Sequence, residues 1–297
     1  MPQESATRAK AWVAVFFVVL QQLKYTLYGK RNEFDSMKKT LFILMSLVAT
    51  ALVSCKKPTS YGDLSVGIDY SVNGGHLMID SLCYHTEAGN TFMITEIQWF
   101  ISRLELQNEQ GEWVELTYRE TEGNGPTASI FYIDTNIPES QTLLLEAIPT
   151  GTYTRLRFTF GLDEEDNLTG LFCNPPEANM FWPEPLGGGY HYMKLNGRFV
   201  NANDELVPLN THLGIGQNAD HTEFYQNYFD VEGPIDLVVA ENKENLVLLS
   251  MIVDNWFRNP NLYDFNVYGS AIMQNQAAQQ ALKENGQDVF TWITNFL

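Results

Sequence analysis

From Leu64 onward the chain reads as short segments in which apolar and polar residues trade places, cut at intervals by turn-forming residues. Side chains of a strand point alternately to its two faces, so a period near two suits strands and not a helix of period 3.6. The longest segment is Thr91–Leu106 (TFMITEIQWFISRLEL), rich in β-branched and aromatic residues. Trp113–Tyr118, Ser129–Asp134, Tyr153–Gly161, Tyr190–Val200, Thr222–Asp230, Ile235–Ala240 and Leu246–Trp256 extend the series. Asn73-Gly74-Gly75, Gln110-Gly111, Gly123-Asn124-Gly125-Pro126 and Pro149-Thr150-Gly151 punctuate it. Many short strands with recurrent turns predict an all-β fold, an antiparallel sandwich-like domain with long loops. One short C-terminal helix is expected over Ala271–Glu284, capped by Ser270 and stopped by Asn285-Gly286. The stretch 162–189 carries few strand signals and much Gly, Pro, Asn and Asp. Loops of that length in a compact domain tend to be functional.

The segment Met37–Cys55, MKKTLFILMSLVATALVSC, has a different character. Two lysines precede a largely apolar run from Leu41 to Val53, which ends at Ser54-Cys55. That run falls well short of the ~20 residues a spanning helix needs and reads as a secretory signal over 37–54. Leu52-Val53-Ser54-Cys55 resembles the lipobox of bacterial lipoproteins, which implies lipidation of Cys55 as the first mature residue. Residues 1–36 fit no mature domain and are expected to be a gene-start artefact, with Met37 the true start. Residues 55–62 read as a tether and 63–297 as the β domain. Lys56 and Lys57 follow the anchor, so the expected location is the outer membrane, facing the periplasm.

Removing 1–54 takes 7 basic and 3 acidic residues, leaving 11 basic against 33 acidic. A surface that acidic repels phosphate backbones and excludes nucleic acid as a partner. Cys83 and Cys173 remain, either as a disulfide in an oxidising compartment or as two buried thiols. Gly-x-Ser-x-Gly is absent, and no local Ser/His/Asp or Cys/His arrangement appears, so no enzyme activity is expected. The acidic run Asp163–Asn167 could meet Ca²⁺, yet it lacks the spacing and central glycine of an EF-hand and suits a solvated turn.

Asn179–Phe199 (NMFWPEPLGGGYHYMKLNGRF) holds the densest chemistry. Gly187-Gly188-Gly189 lacks the following Lys-Ser/Thr of a phosphate loop and suggests a sharp bend or close backbone approach. Along an unbroken strand His191 and Met193 share one face. Asn210-Thr211-His212-Leu213-Gly214 places a second histidine near a strand end. Imidazole with nearby thioether suits copper, although a lone strand histidine is more often a packed core residue. His76 and His85 could join such a site. Phe181, Trp182, Tyr190 and Tyr192 also allow a rival reading, a glycan- or other ligand-binding lipoprotein module that stacks sugars on exposed aromatics.

Met180-Phe181-Trp182, Gly189-Tyr190, Lys194-Leu195-Asn196-Gly197 and His212-Leu213-Gly214 together resemble the MbnP-like family, periplasmic copper-binding proteins related to a methanobactin-associated protein of methanotrophs. Ile97–Ser102, Phe160–Asp163 with Asn167, and Val253–Phe257 are also similar to that family, and the likeness runs from roughly Leu64 to Tyr268. The resemblance implies copper capture or hand-over, with His191 and His212 as ligands and Met193 beside them. It further implies that a tryptophan, Trp182 or Trp99, is oxidised to metal-binding kynurenine by a di-haem peroxidase partner.

Overall fold

The computed structural model describes residues 60–118, 129–218, 220, 222–241 and 243–294. The signal at 37–54, the lipidation site Cys55, most of the tether, the turn at 123–126 and His221 lie outside the described residues. In chain order the strands are β1 (Tyr61–Val72), β2 (Gly75–His76), β3 (Tyr84–His85), β4 (Thr91–Asn108), β5 (Trp113–Glu115), β6 (Ile130–Asp134), β7 (Thr142–Pro149) and β8 (Gly151–Phe160). They continue as β9 (Met193–Val200), β10 (Leu206–Leu213), β11 (Gly216–Gln217), β12 (Phe224–Tyr225), β13 (Phe229–Val239), β14 (Glu244–Ile252) and β15 (Phe290–Thr294). A single helical turn, α1 (Phe265–Tyr268), precedes one short helix, α2 (Gln276–Asn285).

Two sheets hold most of these strands. One runs β15-β14-β1-β2, with β7 also paired to β1; the other runs β10-β9-β4-β8-β13, with β3, β5 and β6 also on β4. The all-β, mainly antiparallel expectation holds. The departure is β1 against β14, which pair in parallel from Asp63↔Glu244 to Ser71↔Ile252. β1 keeps the expected alternation, with every second side chain from Gly62 to Val72 buried. Its Tyr70 meets the inner face of the second sheet, where Trp99 Nε1 donates to the Tyr70 hydroxyl at 3.0 Å. Around that bond Trp99, Phe160, Phe229, Trp256 and Phe290 pack ring against ring. Each such side chain taken from water stabilises the fold by about 1.5–3 kcal/mol, which makes this aromatic layer a substantial part of the core.

β4 breaks the period of two between Trp99 and Ser102, where four successive residues are buried. The long 162–189 segment is the reason. Its Phe172 stacks on Phe100 at 5.4 Å on the outer face of the sheet, and the Tyr190 hydroxyl accepts from the Phe172 amide. That segment is therefore a long loop pinned to the sheet at Phe172, Met180 and Trp182, with short 3₁₀ turns at Glu177–Met180 and Glu184–Leu186.

Two expectations need correction. The helix begins five residues later than Ala271, because the Asn275 side chain accepts from the Ala278 amide while Ala271 forms a bridge with Asn210. Cys83 and Cys173 are neither paired nor buried; both are free and exposed. The acidic run forms the turn expected of it, with Glu164 and Glu165 exposed, and it closes on a guanidinium. Arg103 meets Asp163 at 2.7 Å, Glu165 at 2.9 Å and Asp166 at 3.3 Å.

Candidate metal centre

Three rings meet on the outer face of the second sheet. Trp182 and His191 have centroids 4.6 Å apart at 76°, and His191 and His212 have centroids 5.2 Å apart at 81°. The 3₁₀ turn Glu177–Met180 delivers Met180 to His191, whose backbone amide donates to the Met180 carbonyl at 2.6 Å. Trp182 is fully buried. Its amide donates to Gly189 O at 2.8 Å and its indole Nε1 donates to Leu186 O at 3.0 Å. Gly187, Gly188 and Gly189 all adopt positive φ, which turns the chain sharply enough for those two bonds to form. The indole also lies against Gly214, where an added Cβ would come within 2.6 Å of the ring. His212 enters on β10, directly across from Lys194 of β9.

Hydrogen bonds decide which nitrogen His191 exposes. Its Nδ1 lies 2.8 Å from the Met180 carbonyl oxygen. A carbonyl only accepts, so Nδ1 carries the proton and Nε2 keeps its lone pair. That Nε2 is buried and meets no hydrogen-bond partner. Burying an unpaired polar atom is costly, and an orphaned imidazole nitrogen suits an electrophile such as a metal ion. His212 Nε2 lies 2.8 Å from Asn196 Oδ1. Burial pushes the His191 imidazole down to about 3 and that of His212 down to about 4, and the Lys194 ammonium beside them pushes in the same direction. Both rings are therefore neutral near neutral pH, the state in which imidazole binds metal.

A metal–nitrogen bond of about 2 Å puts an ion about 3 Å from an imidazole centre. Two centres 5.2 Å apart satisfy the distance that one shared ion requires. Among the described residues no three His, Cys, Asp or Glu side chains gather into a cage. The cluster offers two imidazoles, with an indole as the neighbouring group.

The other sequence-expected residues lie elsewhere. The chain bends at Tyr192 before β9 begins at Met193, so His191 and Met193 do not share a face. Met193 stands opposite Leu213 and Trp99 and is fully buried on the core side, whereas His212 stands opposite Lys194 on the outer side. Met193 is a packing residue. Trp99 belongs to the core and is bonded to Tyr70, not to the histidines. His76 bonds Asp69 and His85 bonds Thr91, both at exposed positions. The rival sugar-stacking surface loses its material, since Trp182, Tyr190 and Tyr192 are buried and Phe181 alone is exposed, at 42 %. Glu96, which accepts from the Asn196 Nδ2 behind His212 at 2.9 Å, gave no signal in the sequence, where Asn196 stood only as part of a motif. Gly197 explains that motif physically, because a Cβ there would lie 2.1 Å from the Met93 carbonyl oxygen of β4.

Fold and site define a β-sandwich protein with two neutral imidazoles beside a buried indole on one sheet face. The MbnP family model matches residues 61–275, and the chain belongs to that family. Among solved structures, MbnP from Methylosinus trichosporium is similar in fold. Identity is 12%, 80% of this chain and 99% of that chain are covered, and the TM-score is 0.51. No curated protein matches in sequence.

Proposed function

We propose that this protein is a lipid-anchored periplasmic copper carrier in which His191 and His212 are the protein ligands. The observation that carries the reading is the buried, unpartnered Nε2 of His191, held 5.2 Å ring-to-ring from a second neutral imidazole. Imidazole nitrogen suits copper among the transition metals, and the family supports copper over zinc. Copper is cargo here, captured or handed on. In this reading Trp182, whose ring centroid lies 4.6 Å from that of His191, is the indole that a di-haem peroxidase partner oxidises to kynurenine.

Metal analysis of purified protein tests the ligands. One copper per chain is expected in the wild type, and none in the His191→Ala/His212→Ala variant. Equal copper in both, or none in either, removes the proposal. Intact mass of protein expressed with the partner should carry a small defined gain that Trp182→Phe abolishes. Anchoring through Cys55 predicts that Cys55→Ser moves the protein from the membrane to the soluble fraction; unchanged fractionation refutes it.

A further inference from the structure

We propose that Glu96 and Asn196 are positioning residues that hold His212 as its Nε2–H tautomer, presenting Nδ1 as the second copper donor. The inference rests on the copper reading and adds to it the nitrogen used and the residues that choose it. The argument starts at the carboxylate. Asn136 Nδ2 donates to Glu96 Oε1 at 2.8 Å, and Asn196 Nδ2 donates to Glu96 Oε2 at 2.9 Å. A carboxylate only accepts, so Asn196 must turn its NH₂ toward Glu96. Its Oδ1 then faces His212 Nε2 at 2.8 Å. An amide oxygen also only accepts, so the proton sits on Nε2 and the lone pair sits on Nδ1. Each link allows one orientation, and the chain ends by selecting a nitrogen. Metal-bound imidazoles are held in this way, with the non-ligating N–H donated to an oxygen acceptor. The pair thus offers Nε2 from His191 and Nδ1 from His212.

The backbone builds this chain deliberately. Between Ile94 and Glu96 the register of β4 against β9 shifts by one residue: Ile94 stands opposite Gly197, yet Glu96 stands opposite Asn196. Thr95 is the extra residue, and a bulge of this kind re-aims the side chain that follows it. Without it Thr95 would stand opposite Asn196, and no carboxylate would orient the amide. Glu96 and Asn196 are both only partly buried, so fold stability alone gives little reason for this arrangement.

Imidazole ¹⁵N spectra of the copper-free protein test the tautomer, and a copper competition titration tests its consequence. In the wild type the His212 Nε2 resonance should be of the protonated type and Nδ1 of the bare type. In Glu96→Gln the amide of Asn196 is free to turn, so the two His212 resonances should move toward each other. Copper affinity should then fall about 10–100-fold, with the thermal midpoint near that of the wild type. Asn196→Leu should show the same loss. Bare Nε2 in the wild type, or unshifted His212 resonances in Glu96→Gln, overturns the inference, as does a shifted tautomer with unchanged affinity. A wild-type protein with the expected tautomer that binds no copper refutes the copper reading and leaves the hydrogen-bond chain standing.

Discussion

His191 and His212 are held neutral by burial first, and by the Lys194 charge beside them second. An unfolded chain lets both rings take up protons below about pH 6.5, whereas the folded chain refuses them until about 4 at His212 and about 3 at His191. The unfolded state therefore binds more protons in that window, and stability rises with pH across it. The contribution is fully present above about pH 6.5 and is lost as pH falls toward 3. At about 1.4 kcal/mol per unit for each ring, the pair should cost the wild type about 2–4 kcal/mol between pH 7 and about pH 5. Urea unfolding at those two pH values, repeated on His191→Gln/His212→Gln, measures it; equal losses in the two proteins contradict the account. The two histidines are legible in sequence only through their motifs, since no spacing rule joins His191, which precedes β9, to His212 on β10. Met193 is misread for a local reason. Alternation requires an extended chain, and the bend at Tyr192 resets it.

Among the elements, the 162–189 segment sets the site. Gly189 has φ +76, and a Cβ there would lie 2.4 Å from Asn167 Oδ1, the atom that accepts from the Tyr190 amide. Gly189→Ala should thus combine a strained backbone with a displaced Asn167, at a cost of about 1–3 kcal/mol. Because the Gly189 carbonyl also holds the Trp182 amide, copper affinity should fall with stability. Chemical denaturation and a copper titration on the same sample check both. Unchanged values in both would mean that the bend tolerates a side chain and does not hold Trp182. The bend itself is legible, because three successive glycines have few other uses. The packing of this segment against Phe100 is not, since burial of Phe172 depends on a strand 72 residues upstream. The early start expected for α2 has a similar cause: Ser270 and Asn275 are both acceptable caps, and tertiary pairing of Ala271 with Asn210 selects the second.

At the scale of the whole molecule, the sandwich separates the aromatic core from the imidazole pair proposed to hold copper. The aromatic layer around Trp256 lies between the sheets, where that ring packs on Phe160, Phe229 and Phe290. The imidazole pair lies on the outer side of β9 and β10, across the sheet from Met193 and Leu213. Trp256→Ala should leave a cavity and cost about 3–5 kcal/mol. The fraction that stays folded should still bind copper with wild-type affinity, because no described hydrogen bond or ring contact joins Trp256 to His191, His212 or Trp182. His191→Ala/His212→Ala should behave in the opposite sense, losing copper while keeping most of its stability at neutral pH. Denaturant midpoints and copper titrations on the two variants give four numbers that test this division. Should Trp256→Ala weaken copper binding in the folded fraction as strongly as it weakens the fold, the sheet between them transmits strain and the two layers act as one unit.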